Sequence, residues 1–393
     1  MQFIDLAAQQ NRIREEIEHN IRSVMNHGRY IMGPEVEELE NQLSHYIGTK
    51  HAIACSSGTD ALLLALMAYN VGPNHAVFTT PFTFISTAEV ISALGATPVF
   101  VDIDPKTYNI DPHRLDLAIT ALKKNDPSMH PLPRCASQDL SFITPKAVIA
   151  VDLFGLPADY DSINAVAQKN DLFVIEDAAQ SFGAQYKGKK ACSLAHVACT
   201  SFFAAKPLGC YGDGGMCFTD HDDLAEIMRS LRIHGQGNDK YDNVRIGING
   251  RLDTLQAAIL LAKFRIFPDE ISLRQKAAKR YTDLIQASDV ELSTPHVPSG
   301  YESVWAQYSI MANDEKHRTV LQDNLENHGI PTAIYYPKPL HLQTAYATLG
   351  FKEGDFPVSE SSSQSIFSLP MHPYLKEEDQ KRIVETLNQG HPI

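Results

Sequence analysis

The chain has 393 residues, of which 44% are hydrophobic and 21% charged, and its formal net charge is −13 at pH 7. This length suits two or three domains with substantial cores, and the composition is that of an ordinary soluble globular protein. The acidic balance and the lack of a basic tail or stripe argue against general nucleic-acid binding. No apolar run is long enough to span a bilayer, so we expect no membrane association.

The six cysteines form no Cys-x-x-Cys pair and show no zinc-like spacing. We therefore expect no metal site and a reducing, cytoplasmic location. The N-terminal residues 1–6 lack the basic region and apolar stretch of a signal peptide.

Helical spacing of apolar residues predicts a helix over residues 8–25, and Gly33 and Pro34 open a second helix that runs through Leu43. From about residue 50 short apolar strands alternate with helical stretches, which predicts an α/β fold with a largely parallel sheet covered on both faces. The predicted strands are His51–Cys55, Ala76–Thr80, Thr97–Asp102, Ala147–Leu153, Phe173–Glu176 and Cys199–Phe203. Gly215–Thr219 follows a tight glycine turn and is expected to add an antiparallel strand.

Two segments interrupt this alternation. Lys123–Phe142 is polar, holds three prolines and is interpreted as a surface insertion. After a helix over Thr254–Phe264, Pro268 marks a domain hinge, which divides the chain into a large domain (1–265) and a smaller C-terminal α/β domain (266–393). The elements predicted after the hinge are helices over Ile271–Ala287, Thr319–His328 and Glu377–Leu387, a strand pair around Val304–Met311 and a strand over Thr332–Tyr336.

One lysine, Lys206, lies in an apolar run from Ser201 that ends in a glycine-rich loop at Gly215. Burial lowers the pKa of a lysine, and a deprotonated amine is the form that attacks an aldehyde cofactor. An isolated lysine at a strand end more often extends to solvent. Lys206 is not isolated, because two further motifs precede it.

The upstream motifs supply a carboxylate, an amide and a helix start. Asp177 and Gln180 follow the short apolar strand that begins at Val174, where Asp177 would face a pyridine nitrogen and Gln180 a phenolic oxygen. Ser57, Gly58 and Thr59 precede an apolar helix whose free N–H groups suit a phosphate. Simple helix capping explains Asp177 or the serine motif when each is taken alone.

Phe84 offers a face on which a cofactor ring can stack, although a core position is the more common role for such an aromatic. Ser201, five residues before Lys206, would add a hydroxyl to the phosphate. The order of these motifs, with a covalent anchor, a ring partner and a phosphate cradle, predicts a site for pyridoxal 5′-phosphate (PLP).

Over nearly its whole length the chain resembles the DegT-type nucleotide-sugar aminotransferases, which are PLP enzymes of the aspartate aminotransferase fold (fold type I). The resemblance is carried by Ser56–Asp60, Glu176–Gln180, Ser201–Gly215 and Gly247–Asp253, and the segment around Lys206 is its most specific part. It implies a homodimer with shared active sites.

The resemblance also implies roles for residues outside the PLP motifs. Asn249 would reach the phosphate of the neighbouring subunit's cofactor, and Arg251 would approach its substrate. Tyr335, Tyr336 and His341 lie where the small domain of the family meets the sugar nucleotide. For His341 a surface role is an equally good interpretation.

The implied reaction is transamination from L-glutamate to a UDP- or dTDP-linked keto-sugar. The sequence around Lys206 and Arg251 is most similar to that of the branch that aminates C3 of UDP-2-acetamido-3-keto-glucuronate in O-antigen synthesis. Tyr335, where that branch more often has histidine, and the Lys123–Phe142 insertion leave a 3-keto-6-deoxy or 4-keto sugar as the alternative. Two other classes are a dehydratase, which Lys206 argues against, and a PLP- or sugar-binding regulator without turnover.

Overall fold

The computed structural model describes residues 1–134 and 142–389. Seven of its strands form one sheet in the order β1-β9-β8-β5-β4-β2-β3, β10 joins β6 and β7, and β11 pairs with β12. The strands are β1 (His51–Cys55), β2 (His75–Thr79), β3 (Thr97–Phe100), β4 (Thr144–Val151), β5 (Phe173–Asp177), β6 (Gln185–Tyr186), β7 (Lys189–Lys190), β8 (Val197–Ser201), β9 (Gly215–Thr219), β10 (Tyr301–Glu302), β11 (Tyr308–Met311) and β12 (Ile366–Leu369).

The described helices surround these sheets. They are α1 (Leu6–His27), α2 (Pro34–Ile47), α3 (Gly58–Ala68), α4 (Ser86–Ala93), α5 (Pro112–Lys124), α6 (Tyr160–Asn170), α7 (Asp222–Leu231), α8 (Thr254–Gln286), α9 (Glu315–Asn327), α10 (Pro357–Ser365) and α11 (Glu377–Gln389). The two predicted N-terminal helices are confirmed. The helix α1 is longer than predicted at both ends, and α2 is longer at its C-terminal end.

The large sheet is parallel except for β9, which runs antiparallel to both β1 and β8. The prediction of an antiparallel strand is therefore confirmed, but β9 lies inside the sheet and not at its edge. Alternate residues of each strand enter different cores, as Ile53 packs with α3 and α7 whereas Ala52 packs with α2 and α8. Because both faces are covered, the strands are apolar throughout rather than alternating.

The helix α8 is continuous for 33 residues and contains Pro268. The predicted helices on either side of Pro268 are therefore one helix, and no break occurs at this proline. An interior proline loses the backbone hydrogen bond to residue 264 and its ring crowds the carbonyl of that residue, but its fixed φ is compatible with a helix. The last turns of α8, including Tyr281 and Ile285, pack with β11 and β12 in a separate core. The boundary between residues 265 and 266 falls within this helix, and the two-domain division stays a prediction.

Two predictions for the C-terminal region differ from the structure. The strands β10 and β11 do not pair with each other, because β10 pairs with β6 and β11 with β12. Residues 332–336 form a single bridge between Ala333 and Ser368 rather than a strand. Prolines at positions 331 and 337 limit this segment, since proline has no N–H to extend a ladder.

The described part of the Lys123–Phe142 insertion is attached to the protein body. His130 is buried and its Nε2 lies 2.7 Å from the carbonyl oxygen of Phe100. The backbone N–H of Arg134 donates to the carbonyl of Leu349 at 2.7 Å. Residues 135–141 of the predicted insertion lie outside the described residues. Within the described ranges, no helix is both long enough and apolar enough to cross a membrane.

Candidate active site

Asp177 and Lys206 come together at the carboxyl ends of β5 and β8, which are neighbouring parallel strands. Burial lowers the pKa of Lys206, and the negative charge of Asp177 partly opposes this effect. Burial raises the pKa of Asp177, and the charge of Lys206 is among the groups that oppose the rise. Among the described residues, we find no hydrogen bond to Nζ of the half-buried Lys206. Its amine is therefore available to react.

Asp177 is held by two hydrogen bonds in a buried pocket. Its Oδ2 accepts from the hydroxyl of Thr87 at 2.8 Å, and its Oδ1 accepts from the backbone N–H of Ala179 at 3.2 Å. Thr87 is itself within 3.1 Å of Thr83 through their hydroxyl oxygens. These contacts fix the carboxyl group at the base of the site, where a protonated ring nitrogen would compensate its buried charge.

The orientation of Gln180 is set by its neighbours. The backbone N–H of Phe154 donates to Oε1 of Gln180 at 2.7 Å. Since an N–H group only donates, the amide oxygen must face Phe154 and the amide nitrogen must face the site. Nε2 donates to the hydroxyl of Tyr336 at 3.2 Å and keeps a second N–H. Gln180 thus presents a donor, as a phenolic oxygen requires.

The first turn of α3 forms a cradle with β8. The hydroxyl of Ser57 accepts from the backbone N–H of Asp60 at 3.0 Å and caps the helix. A Cβ atom at Gly58 would lie 2.7 Å from Cβ of Ser201, so only glycine permits this close approach. The hydroxyl of Thr59 lies 2.8 Å from that of Ser86. The N–H groups and hydroxyls that gather here suit a phosphate.

Aromatic side chains border the site on one side. Phe84 is 56% exposed, which is unusual for a phenylalanine and leaves its ring face free. Its ring centroid lies 6.5 Å from that of Tyr336, and Tyr336 lies 6.0 Å from Tyr335. Burial raises the pKa of the Tyr336 hydroxyl, which therefore stays protonated. Together with the cradle and with Lys206, Asp177 and Gln180, these rings fit PLP.

Asn249 and Arg251 flank Gly250, whose carbonyl accepts from the backbone N–H of Ser56 at 3.2 Å. This bond places both residues next to the motif that begins α3. Asn249 is exposed, whereas Nε of Arg251 is buried and has no partner among the described residues. Because one chain is described, the contact of Asn249 with the cofactor of a neighbouring subunit stays a prediction.

His341 is buried beside the start of α10. It is 1% exposed, and its Nε2 lies 3.0 Å from Oε1 of Glu360. Its ring packs edge-on against Phe356, with centroids 4.7 Å apart. This burial excludes the surface role, and the substrate contact that the resemblance implies for His341 stays a prediction. Burial lowers the pKa of His341, with Glu360 opposing.

Two carboxylates that no sequence motif indicated as part of the site lie behind Asp177. Asp152 and Glu176 are both fully buried. Asp152 accepts from the hydroxyls of Ser181 at 2.7 Å and Tyr160 at 2.8 Å, and Glu176 accepts two backbone N–H groups. Burial raises the pKa of Asp152 to about 7. Burial also raises the pKa of Glu176, well above its ordinary value. No spacing rule in the sequence indicates that these residues meet.

Comparison with known proteins identifies the family. The profile of the DegT/DnrJ/EryC1/StrS aminotransferase family matches residues 11–388. The chain belongs to this family. It is 48% identical, over 95% of its length and 96% of the relative, to a UDP-2-acetamido-2-deoxy-3-oxo-D-glucuronate aminotransferase of Pseudomonas aeruginosa. It is also 43% identical, over 98% of its length and 97% of the relative, to a pleiotropic regulatory protein of Geobacillus stearothermophilus.

Solved structures agree with this family and with the cofactor. A DegT/DnrJ/EryC1/StrS aminotransferase from Brucella abortus superimposes with a TM-score of 0.92 at 48% identity and covers 99% of both chains. The PLP form of a sugar aminotransferase from Streptococcus pneumoniae gives a TM-score of 0.84 at 26% identity, over 96% of both chains. The predicted fold class, aminotransferase activity and PLP cofactor are confirmed.

Proposed function

We propose that this aminotransferase transfers the amino group of L-glutamate to C3 of UDP-2-acetamido-2-deoxy-3-keto-glucuronate, in the synthesis of O-antigen or another cell-surface polysaccharide. The observation that carries the transfer chemistry is the pairing of a half-buried lysine of lowered pKa with a buried aspartate, Lys206 with Asp177. The sugar is supported by the 48% identical relative, whose name gives this substrate.

Each residue of the site has a defined task in this reaction. When bound, PLP supplies an aldehyde that carries the amino group and a ring that accepts an electron pair. Lys206 would hold the cofactor covalently, and its amine, once free, would take the proton from the α-carbon of the donor as a base and return it to C4′ of the cofactor as an acid. Asp177 would keep the ring nitrogen protonated, Gln180 would donate to the phenolic oxygen, and Phe84 would stack on the ring.

The remaining residues bind the phosphate and the substrate. Ser57, Gly58, Thr59 and Ser201 supply N–H and hydroxyl donors to the phosphate. Tyr335 and Tyr336 border the site beside Phe84, where they would contact the sugar nucleotide. Arg251, whose Nε lacks a partner among the described residues, is suited to an anionic group of that substrate.

We also propose a homodimer in which Asn249 completes the site of the other subunit. The segment before Asn249 exposes three large apolar side chains: Tyr241 is 86% exposed, Val244 54% and Ile246 90%. Such a group of exposed apolar residues is typical of a surface that another chain covers. The cytoplasm is the location that we propose.

A second candidate is a regulator that binds PLP without turnover, because one relative is named as a pleiotropic regulatory protein. The two candidates differ in a half-reaction. We would record the absorbance spectrum of the PLP-loaded protein before and after L-glutamate is added. A transaminase converts the cofactor to its pyridoxamine form, so the visible band moves to the near ultraviolet. A band unchanged by glutamate contradicts the proposed donor and favours a non-transaminating role.

The acceptor is then tested on the protein after it has reacted with glutamate. Return of the visible band with the 3-keto-glucuronate supports the proposed substrate. A faster return with a 3-keto-6-deoxy or a 4-keto sugar nucleotide would replace it by one of those alternatives. Lys206→Ala serves as the control, because without an amine to move the proton the cofactor should not be converted to its pyridoxamine form by glutamate.

A further inference from the structure

A second lysine contacts the loop that follows Lys206. Lys263 lies on α8, is 0% exposed, and donates from its Nζ to the carbonyl oxygen of Gly209 at 2.6 Å. The same Nζ lies 4.2 Å from the ring centroid of Tyr211. One amine thus contacts two residues of the segment between Lys206 and Gly215.

This loop folds tightly enough for those contacts to define its shape. A Cβ atom at Gly209 would lie 2.5 Å from the carbonyl oxygen of Phe203 and 2.6 Å from that of Ala204. The chain therefore turns back on the residues just before Lys206, and the carbonyl of Gly209 is directed towards α8. A second bond, from the backbone N–H of Tyr211 to Oε1 of Gln256 at 2.9 Å, fastens the loop to the same helix.

The amine of Lys263 has no carboxylate within ion-pair distance among the residues that the structure describes. Burial lowers the pKa of Lys263 to about 8, so most of it is still charged at pH 7. An unpaired buried ammonium is costly, and an apolar residue of similar length would fill the space without that cost. The carbonyl and the ring are the partners that compensate for its burial.

We propose that Lys263 is a positioning residue, which holds the loop after Lys206 against α8 and so fixes the direction from which the reactive amine enters the site. This proposal rests on the proposed role of Lys206 but not on the identity of the sugar. The amine of Lys263 contacts Gly209 and Tyr211 of the loop and takes no part in proton transfer.

The test is Lys263→Met, which keeps the apolar stem and removes both contacts of the amine. Lys190→Met is the matched control, because Nζ of Lys190 likewise donates to a carbonyl, that of Tyr46 at 2.6 Å, and lies 3.3 Å from the ring centroid of the same residue. Both lysines make the same pair of contacts, but only Lys263 touches the loop.

The first readout is the alkylation rate of Cys210 in the PLP-free protein, followed by peptide mass spectrometry with N-ethylmaleimide as the probe. Cys210 lies in the loop, is 0% exposed, and its Sγ is 3.0 Å from the carbonyl oxygen of Phe202. Opening of the loop exposes this thiol, so Lys263→Met should raise the rate about tenfold. Lys190→Met should leave it unchanged.

The second readout separates positioning from general stability. In the PLP-loaded protein, Lys263→Met should lower kcat about tenfold and leave KM for L-glutamate unchanged. Unchanged Cys210 alkylation together with unchanged kcat would overturn the proposal. If Cys210 of Lys263→Met reacts faster but the unaltered protein fails the glutamate half-reaction, the result supports Lys263 as the loop anchor and contradicts the proposed function.

If Lys263→Met does not fold, Lys263→Gln is measured in the same way. Glutamine keeps an N–H donor but is shorter and lacks the charge over Tyr211, so a several-fold rise in Cys210 alkylation is expected. A rate equal to that of the unaltered protein would overturn the proposed role of the ammonium group.

Discussion

The lysine that begins the loop between Lys206 and Gly215 and the lysine that contacts this loop from α8 have different surroundings. On the helix side, Lys263 is fully buried and its amine has a carbonyl and a ring as partners. On the sheet side, Lys206 is half-buried, and Asp177 is the charged group that acts on it. Burial lowers the pKa of both amines. The difference teaches that a lowered pKa is not enough for reactivity, because the amine must also be free of hydrogen-bond partners.

Removal of the free amine should have the largest effect. Lys206→Ala is expected to bind PLP without a covalent bond and to lose turnover by about 10,000-fold or more, since it loses both the anchor and the proton carrier. Turnover is measured with glutamate and the keto-sugar, and binding by dialysis with the cofactor absorbance. Multiple turnovers by this variant would show that the two lysines have been assigned the wrong roles.

Removal of the charge beside the free amine should have a smaller effect. Asp177→Asn keeps the shape and the bond to Thr87 but cannot hold a proton on the ring nitrogen. We expect the rate of the glutamate half-reaction to fall about 100-fold or more, measured by stopped-flow absorbance. Thr87→Val is the control, because it disturbs the position of Asp177 but keeps its charge. The half-reaction rate of this variant should fall much less. Equal losses in the two variants would mean that the geometry of Asp177, and not its charge, matters.

The smallest effect concerns the carboxylates behind the site. The pKa of Asp152 is raised to about 7 from 3.8, so the native state binds its proton more tightly than the unfolded state. The stability that this proton contributes is full below about pH 4 and is lost as the pH rises through about 7. Asp152→Asn carries no such proton, so its stability does not fall with that of the unaltered protein as the pH rises. The Tm of the variant minus that of the unaltered protein should therefore be about 2–4 °C larger at pH 8.5 than at pH 5.5.

The control for this pH effect is Asp161→Asn. Asp161 is exposed and its pKa is lowered, chiefly by its hydrogen bond with Lys187. It stays ionised throughout this pH range, so its variant should show the same Tm difference at both pH values. Thermal unfolding followed by circular dichroism is sufficient. An Asp152→Asn protein whose Tm follows the pH as the unaltered protein does would contradict the buried-proton account.

The sequence was most informative where strand order decides position. Asp177 and Lys206 follow neighbouring parallel strands, so their approach was predictable from the alternation of strands and helices. The contact of Thr87 with Asp177 joins residues 90 positions apart, and that of Lys263 with Gly209 joins residues 54 apart. Contacts of this kind depend on side-chain packing between elements, which leaves no period or spacing in one sequence.

Other differences have the same cause. The continuation of α8 through Pro268 depends on the packing of both halves of the helix in separate cores, which outweighs the cost of one lost backbone bond. The burial of His341 depends on Glu360 and Phe356, which lie beyond any local motif.

The central position of β9 constrains the order in which this chain can fold as it is synthesised. The edge strand β1 pairs with β9 and with no other strand of the large sheet. Residues 51–55 therefore leave the ribosome long before their partner at 215–219 exists, whereas β2, β3, β4 and β5 can pair among themselves earlier. Until then the apolar β1 needs protection from other chains. A pause in translation between these two segments should accordingly raise the demand for chaperones more than a pause after residue 219.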